Sequence, residues 1–182
     1  MTAAETIAGR VKQALERLSD EPWELAAAPV EEPKGPWLSS GEGDFEAVHL
    51  GWKGGLGALV LSSEQAAALV QSYLFKRVDP GEDFMDRRAE LTDRLGQATL
   101  GEIGNIVVHA ALAVWADEAG TRIMLSAPNK VSGKAAEVER ALEKALGGAR
   151  AARGFSAEFA CRRLGVACRV RLLSDGQEAP RR

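Results

Sequence analysis

Residues 99–120, TLGEIGNIVVHAALAVWADEAG, constrain the fold more than any other segment of the chain. At a helical advance of about 100° per residue, almost every direction around this segment carries an apolar side chain. The exceptions are Glu102, Asn105 and His109, which share one stripe about 60° wide with Ala98. Because burying an unpaired carboxylate or carboxamide is costly, the stripe should face solvent or have specific partners. The sequence therefore predicts a core helix with one narrow polar side.

The composition favours one soluble domain that covers residues 1–182. Apolar residues make up 46% of the chain and charged residues 27%, with a formal net charge of −3. This balance argues against nucleic-acid binding. No segment has the roughly eighteen consecutive apolar residues of a membrane span, and the N-terminus lacks the apolar stretch of a secretory signal. We therefore expect a cytoplasmic protein without membrane insertion.

The two cysteines and two histidines predict neither a disulfide framework nor a metal centre. Cys161 and Cys168 are too few for a closed structural zinc site, and His49 and His109 would need several carboxylates beside them. If residues 164–165 form a hairpin turn, Cys161 pairs directly with Cys168. Both thiols would then be reduced core residues without a catalytic role.

Apolar periodicity, caps and turns predict the element order helix, three strands, two helices, strand, helix, two strands. The predicted helices are 5–18, 63–76 after a Ser62/Gln65 capping box, 82–119 before a Gly120 C-cap, and 134–146. The predicted strands are 23–30, 45–53, 56–62 after a Gly54-Gly55 turn, 122–128 ended by Pro128, 155–161 and 166–172. An exposed loop is expected at 31–43 and a frayed tail from about 175. Since short turns join most strand neighbours, we predict an α+β fold with a mostly antiparallel sheet covered by helices.

The segment LGEIGNI at 100–106, followed by Pro128 in LSAPNKV, resembles the signature of the CheC/CheX/FliY family of chemotaxis phosphatases. In that signature, Glu-x-x-Asn on a helix precedes a proline at about this distance. The predicted order of elements over residues 5–173 is also similar to that of CheX. The resemblance therefore extends over nearly the whole chain and implies a CheX-like fold.

The chain departs from the family pattern in three respects. Ala98 stands four residues before Glu102, where the family often has Asp or Ser. CheC and FliY resemble tandem duplications with two motifs, whereas the earlier helix SSEQAAALVQSYLF has no Glu-x-x-Asn, which makes CheX the closer relative. The helix at about 134–146 is an insertion whose role the resemblance does not supply.

The resemblance implies a phosphatase that hydrolyses the aspartyl phosphate of a CheY-type response regulator, with Glu102 and Asn105 as its catalytic residues. A carboxamide both donates and accepts hydrogen bonds, so Asn105 would hold the attacking water. Glu102 would bind a lysine that the regulator carries near its phosphate. The chain needs no cofactor of its own, because magnesium is expected on the response regulator. His109 is expected to be a rim contact or a hydrogen-bonded surface residue rather than a general base, since the family pattern does not require a histidine there.

Two alternatives differ from this hypothesis in class. The chain could be a non-catalytic module that binds a receiver domain or a flagellar switch component, with Ala98 marking lost activity. It could also be a plain interaction domain, on which the polar stripe is only the solvated side of a core helix. The resemblance does not name the regulator, and a homodimer is left open.

Overall fold

The computed structural model describes residues 2–32, 34–38, 42–76, 82–148 and 151–175, without the side chains of 82–87 and 89. In this part of the chain the helices are α1 Ala3–Ser19, α2 Ser63–Phe75, α3 Glu82–Ala119 and α4 Ala135–Leu146. The strands are β1 Glu24–Leu25, β2 Asp44–Trp52, β3 Gly55–Ser62, β4 Asn129–Lys134, β5 Arg153–Cys161 and β6 Val166–Ser174. They form one sheet in the order β1-β5-β6-β3-β2-β4, and every neighbouring pair is antiparallel. The predicted α+β class and the predicted order of elements are confirmed.

Three helices cover one side of the sheet, which we call the helix face. Alternate residues of the central strands point to this side, because side chains in a strand alternate between the two faces. They pack with the buried sides of α1, α2 and α3 in one apolar cluster. Its fully buried members include Leu15 of α1, Leu69 of α2 and Ile103 of α3. The helix face is thus a continuous apolar layer, as the sequence predicted for α3.

The fourth helix covers part of the opposite side, which we call the α4 face. Val138 and Leu142 of α4 are fully buried there, in a second cluster with residues of β2 and β3. Trp37 and Leu38 join the same cluster from the segment that precedes β2. The predicted helix at 134–146 is therefore present, and it gives the sheet a second layer on its far side.

Local capping predictions agree with the structure where they depend on nearby residues. The Ser62 hydroxyl accepts from the backbone N–H of Gln65 at 3.3 Å, and the Gln65 side chain accepts from the Ser62 N–H at 3.4 Å. This capping box starts α2 as predicted. Gly120 has a φ of 59°, in the left-handed region that favours glycine, and it follows the last residue of α3.

The predicted strand at 122–128 is wrong, because the strand begins after Pro128 rather than ending there. The backbone N–H of Ser126 donates to the Gly51 carbonyl at 2.8 Å, so this segment does follow the edge of β2. Pro128 has no N–H to donate, and the regular ladder with β2 starts at Asn129, opposite His49.

Two other boundaries also differ from the sequence prediction. The strand expected at 23–30 is reduced to Glu24–Leu25, with one isolated bridge between Val30 and Ser156. The β2–β3 turn consists of Lys53 and Gly54, because Gly55 already pairs with Trp52. Only Gly54 of the predicted glycine pair has a positive φ, at 88°.

The predicted pairing of Cys161 with Cys168 is wrong by two residues. Cys161 lies opposite Val166, and Cys168 lies opposite Phe159. The loop has four residues, ends at Gly165 with a φ of 64°, and is closed by the Gly165 N–H on the Arg162 carbonyl. Both cysteines are buried and free, and burial raises the pKa of the Cys168 thiol, with Glu158 adding to the shift. A protonated thiol is a poor nucleophile, which fits the predicted structural role.

The loop predicted at 31–43 is not uniformly exposed. Trp37 and Leu38 are buried, and their backbone N–H groups donate to the two carboxylate oxygens of Glu139 at 2.7 and 3.1 Å. Residues 33 and 39–41 of this loop lie outside the described residues, as do residues 77–81 between α2 and α3 and the predicted tail beyond 175.

One helical stretch, Glu90–Ala119 in α3, is long and apolar enough to cross a membrane by length and composition alone. In the described structure, 61% of its most apolar window is buried within the protein. Burial of this kind is expected for the core helix of a sheet-and-helix fold.

Candidate functional site

The predicted polar stripe lies on the outer side of α3. Glu102 and His109 are exposed, Asn105 is half-buried, and Ala98 is exposed one turn before Glu102. The carboxamide of Asn105 makes no hydrogen bond with any described residue. The stripe therefore presents a carboxylate and a carboxamide, one helical turn apart, at the surface of the protein.

The rotation of α3 is fixed by the opposite side of the helix. A Cβ at Gly104 would lie 2.5 Å from the Cβ of Val48 on β2, so only glycine permits this approach. One turn later, the Val108 side chain fills the space above Gly57 of β3, where an added Cβ would lie 2.7 Å from it. Gly104 thus lets α3 approach a side chain of the sheet closely, and this contact turns Glu102 and Asn105 outward.

A residue from another part of the fold borders the stripe on each side. On one side, the hydroxyl of Tyr73 from α2 donates to Oε1 of Glu102 at 3.2 Å. On the other side lies Pro128, whose Cγ would be 4.0 Å from a Cβ built at Gly101. The distant proline of the sequence motif therefore does lie beside the Glu-x-x-Asn helix. Because Gly101 has no side chain, α3 has no projecting group at this position between Pro128 and Glu102.

A lysine holds β4 against α3 near the start of the stripe. The Nζ of Lys130 donates to the backbone carbonyl of Gln97 at 2.7 Å. Burial raises the pKa of Glu46 on β2. A hydrogen bond from Ser63 and the positive charge of Lys130 each offset part of this rise. Lys130 thus places a positive charge next to Ala98, the position where this chain lacks a polar side chain.

The stripe leads into a groove at the C-terminal end of α3. The groove has a volume of about 370 Å³ and is lined by His109, Leu112, Ala113, Ala116, Asp117, Thr121, Arg122 and Ile123. Met124, just beyond it, is 72% exposed. The floor is apolar and the rim carries both charges, a composition suited to a protein surface rather than to a small polar substrate.

Sequence reasoning found the stripe and its proline but missed the groups that approach from other elements. Tyr73 and Lys130 were not predicted, because each contact joins segments about 30 residues apart in the chain. No cluster of three or more His, Cys, Asp or Glu that could hold a metal ion occurs among the described residues.

Comparisons with protein-family models and with curated proteins found no match. Solved structures do match. FliY from Thermotoga maritima is 16% identical with a TM-score of 0.60, covering 94% of this chain and 86% of that one. CheX from Desulfovibrio desulfuricans is 13% identical with a TM-score of 0.56, covering 96% of this chain and 100% of that one.

A third similar structure is CheX from Borrelia burgdorferi, solved in complex with CheY, BeF3 and magnesium. It is 17% identical with a TM-score of 0.54, and the match covers 95% of this chain and 97% of that one. The chain therefore has the fold of the CheX and FliY chemotaxis proteins, which confirms at the level of architecture its resemblance to the CheC/CheX/FliY family.

Proposed function

We propose that this protein is a cytoplasmic phosphatase that accelerates hydrolysis of the aspartyl phosphate on a CheY-type response regulator in chemotaxis signalling. The observation that carries the proposal is the outward pair of Glu102 and Asn105 on α3, beside Pro128, in a CheX-like fold. One similar structure is a CheX bound to CheY, which supports a CheY-type partner for this site.

Asn105 would position the water. A carboxamide can accept a hydrogen bond from water and donate one to a phosphoryl oxygen, and it is not consumed in the reaction. The water oxygen forms the new bond to phosphorus while the bond to the aspartyl oxygen breaks, so the products are free aspartate and inorganic phosphate. Catalysis of phosphoryl transfer consists mainly of positioning the reactants and stabilising charge, and Asn105 would contribute the positioning.

Glu102 would bind a cationic side chain of the regulator. Its exposed carboxylate can form a charge-assisted hydrogen bond with an ammonium group close to the phosphorylated aspartate. This contact would fix the position of the phosphate relative to Asn105, one turn further along the helix. Magnesium would be bound by the receiver, and this chain would contribute no ligand to it.

The test is phosphate release from phosphorylated CheY-type receivers with trace amounts of this protein. Asn105→Ala should lower the rate at least about tenfold, since losing the water contact raises the barrier by roughly 1.4 kcal/mol or more. Binding should change less. Normal turnover by a folded Asn105→Ala protein would remove the proposed mechanism.

Two other variants separate the roles along the stripe. Glu102→Ala should weaken binding of the phosphorylated receiver, and Glu102→Lys should weaken it more by placing like charges together. His109→Ala, on the same exposed stripe, is the matched control and should change turnover much less than Asn105→Ala. An equal loss in His109→Ala would make the histidine a participant in the reaction.

A second candidate function is a receiver-binding module without catalysis. Ala98 favours it, because the usual polar side chain is absent from the exposed position one turn before Glu102. A catalyst acts in trace amounts, whereas a binding module changes the lifetime of the phosphorylated receiver only in proportion to the complex formed. A titration from substoichiometric to equimolar protein therefore distinguishes the two.

A further inference from the structure

We propose that Tyr73 is a positioning residue that holds Glu102 in its partner-binding conformation, an inference that rests on the function proposed above. Tyr73 lies in the last turn of α2 and Glu102 lies on α3, so the contact joins two helices. Nothing in the Glu-x-x-Asn spacing requires a tyrosine on the neighbouring helix. The geometry nevertheless places a phenol hydroxyl within hydrogen-bonding distance of the carboxylate.

The aromatic ring of Tyr73 is itself held in place. Its ring packs, partly buried, against the apolar cluster of the helix face. The ammonium group of Lys76 lies 5.7 Å from the ring centroid, and the same Nζ donates to the Arg17 carbonyl at 2.5 Å. Lys76 thus links Tyr73 to the end of α1. A donor restrained in this way can restrain its acceptor.

The contact leaves Glu102 able to bind a cation. The hydroxyl donates to Oε1 at 3.2 Å, and a neutral phenol does not cancel the charge of a carboxylate. The Glu102 side chain is exposed, so a partner can still reach its carboxylate. The carboxylate is therefore oriented without being neutralised.

Orientation in advance should increase affinity rather than the rate of the chemical step. A glutamate that is free to rotate loses conformational freedom when it binds a partner, and this loss opposes association. A glutamate that is already held loses less. Because Tyr73 acts on Glu102 and not on Asn105, its removal should raise the receiver concentration needed for half-maximal rate and leave the maximal rate nearly unchanged.

The variant Tyr73→Phe removes only the hydroxyl and keeps the packed ring. Ser72→Ala is the matched control on the same helix: its hydroxyl donates to the Ser19 carbonyl at 3.4 Å and does not contact Glu102. Phosphate release is measured against the concentration of a CheY-type receiver phosphorylated with acetyl phosphate. For Tyr73→Phe we expect the half-saturating concentration to rise roughly threefold to tenfold, with the maximal rate within about twofold of the wild type.

The double variant Tyr73→Phe/Glu102→Ala tests whether Tyr73 acts through Glu102. If it does, Tyr73→Phe has no further effect once the carboxylate is gone. If Tyr73→Phe raised the half-saturating concentration equally with and without Glu102, the hydroxyl would support the fold instead, and the inference would be overturned. An unchanged half-saturating concentration in Tyr73→Phe would overturn it as well, while leaving the phosphatase function intact.

Affinity for the same receiver activated with beryllofluoride gives a readout that does not need turnover. If the wild type binds the receiver but does not accelerate phosphate release, the proposed catalysis fails. A loss of affinity in Tyr73→Phe, and none in Ser72→Ala, would still support positioning by Tyr73. If the wild type neither binds nor turns over the receiver, both proposals fall together.

Discussion

The two faces of the sheet differ in how they are closed. The helix face is apolar along most of its length and is covered by three helices, whose buried residues form one cluster with the sheet. The α4 face is mixed: residues of α4 and of the 34–38 segment bury an apolar cluster there. Beside that cluster, β5 and β6 present polar groups, including an Arg169–Glu158 ion pair and the buried guanidinium of Arg171, which lies under the same 34–38 segment.

Arg171 shows how a charged side chain is accommodated on the α4 face. Its guanidinium donates to the Pro36 carbonyl at 3.1 Å and lies 5.8 Å from the Trp37 ring centroid, but Nε and Nη2 have no hydrogen-bond partner among the described residues. Burial lowers the pKa of Arg171, helped by the neighbouring charge of Arg169. The helix face has no comparable buried cation among the described residues. The candidate site lies on the outer side of α3, one of the helices that cover the helix face.

The largest expected effect is the loss of stability when one buried residue on each face is truncated. Leu142 on the α4 face and Ile103 on the helix face are both fully buried. Leu142→Ala and Ile103→Ala should each lower the free energy of unfolding by about 3 kcal/mol, within the usual range of 2–5 for such truncations. Urea denaturation measures both losses.

The two variants should differ in phosphatase activity. Ile103 is next to Glu102 in α3, so its cavity should disturb the stripe, whereas the cavity at Leu142 lies across the sheet. At temperatures where both variants are folded, Ile103→Ala should lose activity and Leu142→Ala should retain it. Equal activity losses would show that the two faces are mechanically coupled and that the comparison is wrong.

A smaller effect is expected at the two glycines of α3. Gly104→Ala would place a Cβ against the branched side chain of Val48, which a strand holds in place. Overpacking costs about 1–3 kcal/mol and alanine returns up to about 1 kcal/mol of helix propensity, so we expect a net loss of about 1–2 kcal/mol.

Gly101→Ala is the matched control, because its nearest neighbour would be the Cγ of Pro128 at 4.0 Å. It should be neutral or stabilising by up to about 1 kcal/mol, as measured by thermal unfolding. If Gly104→Ala were as stable as Gly101→Ala, α3 would not be seated on β2 through Gly104. The outward direction of Glu102 and Asn105 would then have another cause.

The elements that the sequence predicted correctly are those specified by nearby residues. The bounds of α3, the capping box that starts α2 and the C-cap at Gly120 depend on residues within one or two turns. Element order followed from the same signals. The polar stripe was also predictable, because 3.6-residue periodicity alone shows that Glu102 and Asn105 share a face.

The predictions that failed depended on contacts across the fold. The register of β5 and β6 required knowing that the loop ends with Gly165 in a left-handed conformation, so that Cys161 meets Val166. Strand β4 begins late because a proline meets an edge that pairs with β2. Trp37 packs in the α4-face cluster, and its backbone N–H donates to Glu139 of α4. None of these contacts has a signal in local periodicity.

The smallest predicted effect concerns a histidine on the α4 face. His49 lies on β2, where it pairs with Ala58 of β3 on one side and Asn129 of β4 on the other. Its side chain points to the same face as that of Ala47, a member of the α4-face cluster. It is half-buried, its buried Nδ1 has no hydrogen-bond partner in the part of the chain that the structure describes, and burial lowers the pKa of His49 in the folded protein.

Because the pKa of His49 is lowered on folding, the unfolded chain takes up its proton first as the pH falls below about 6.5, the usual value. The unfolded state then binds more protons than the folded state, so stability falls with falling pH and levels off below the folded pKa. His49→Gln should remove this part of the pH dependence, leaving the wild type with the steeper loss between pH 7.5 and about 5.5. Solvent screening of a half-exposed group keeps the difference below about 1 kcal/mol.

Glu46, whose pKa is raised, is present in both proteins, so its contribution cancels in the difference. Urea denaturation across this pH range gives the measurement, with His109→Gln on the exposed stripe of α3 as the control. An unchanged pH slope in His49→Gln would mean that the α4 face accommodates a charged imidazole without cost, and that the two faces differ less in polarity than their packing suggests.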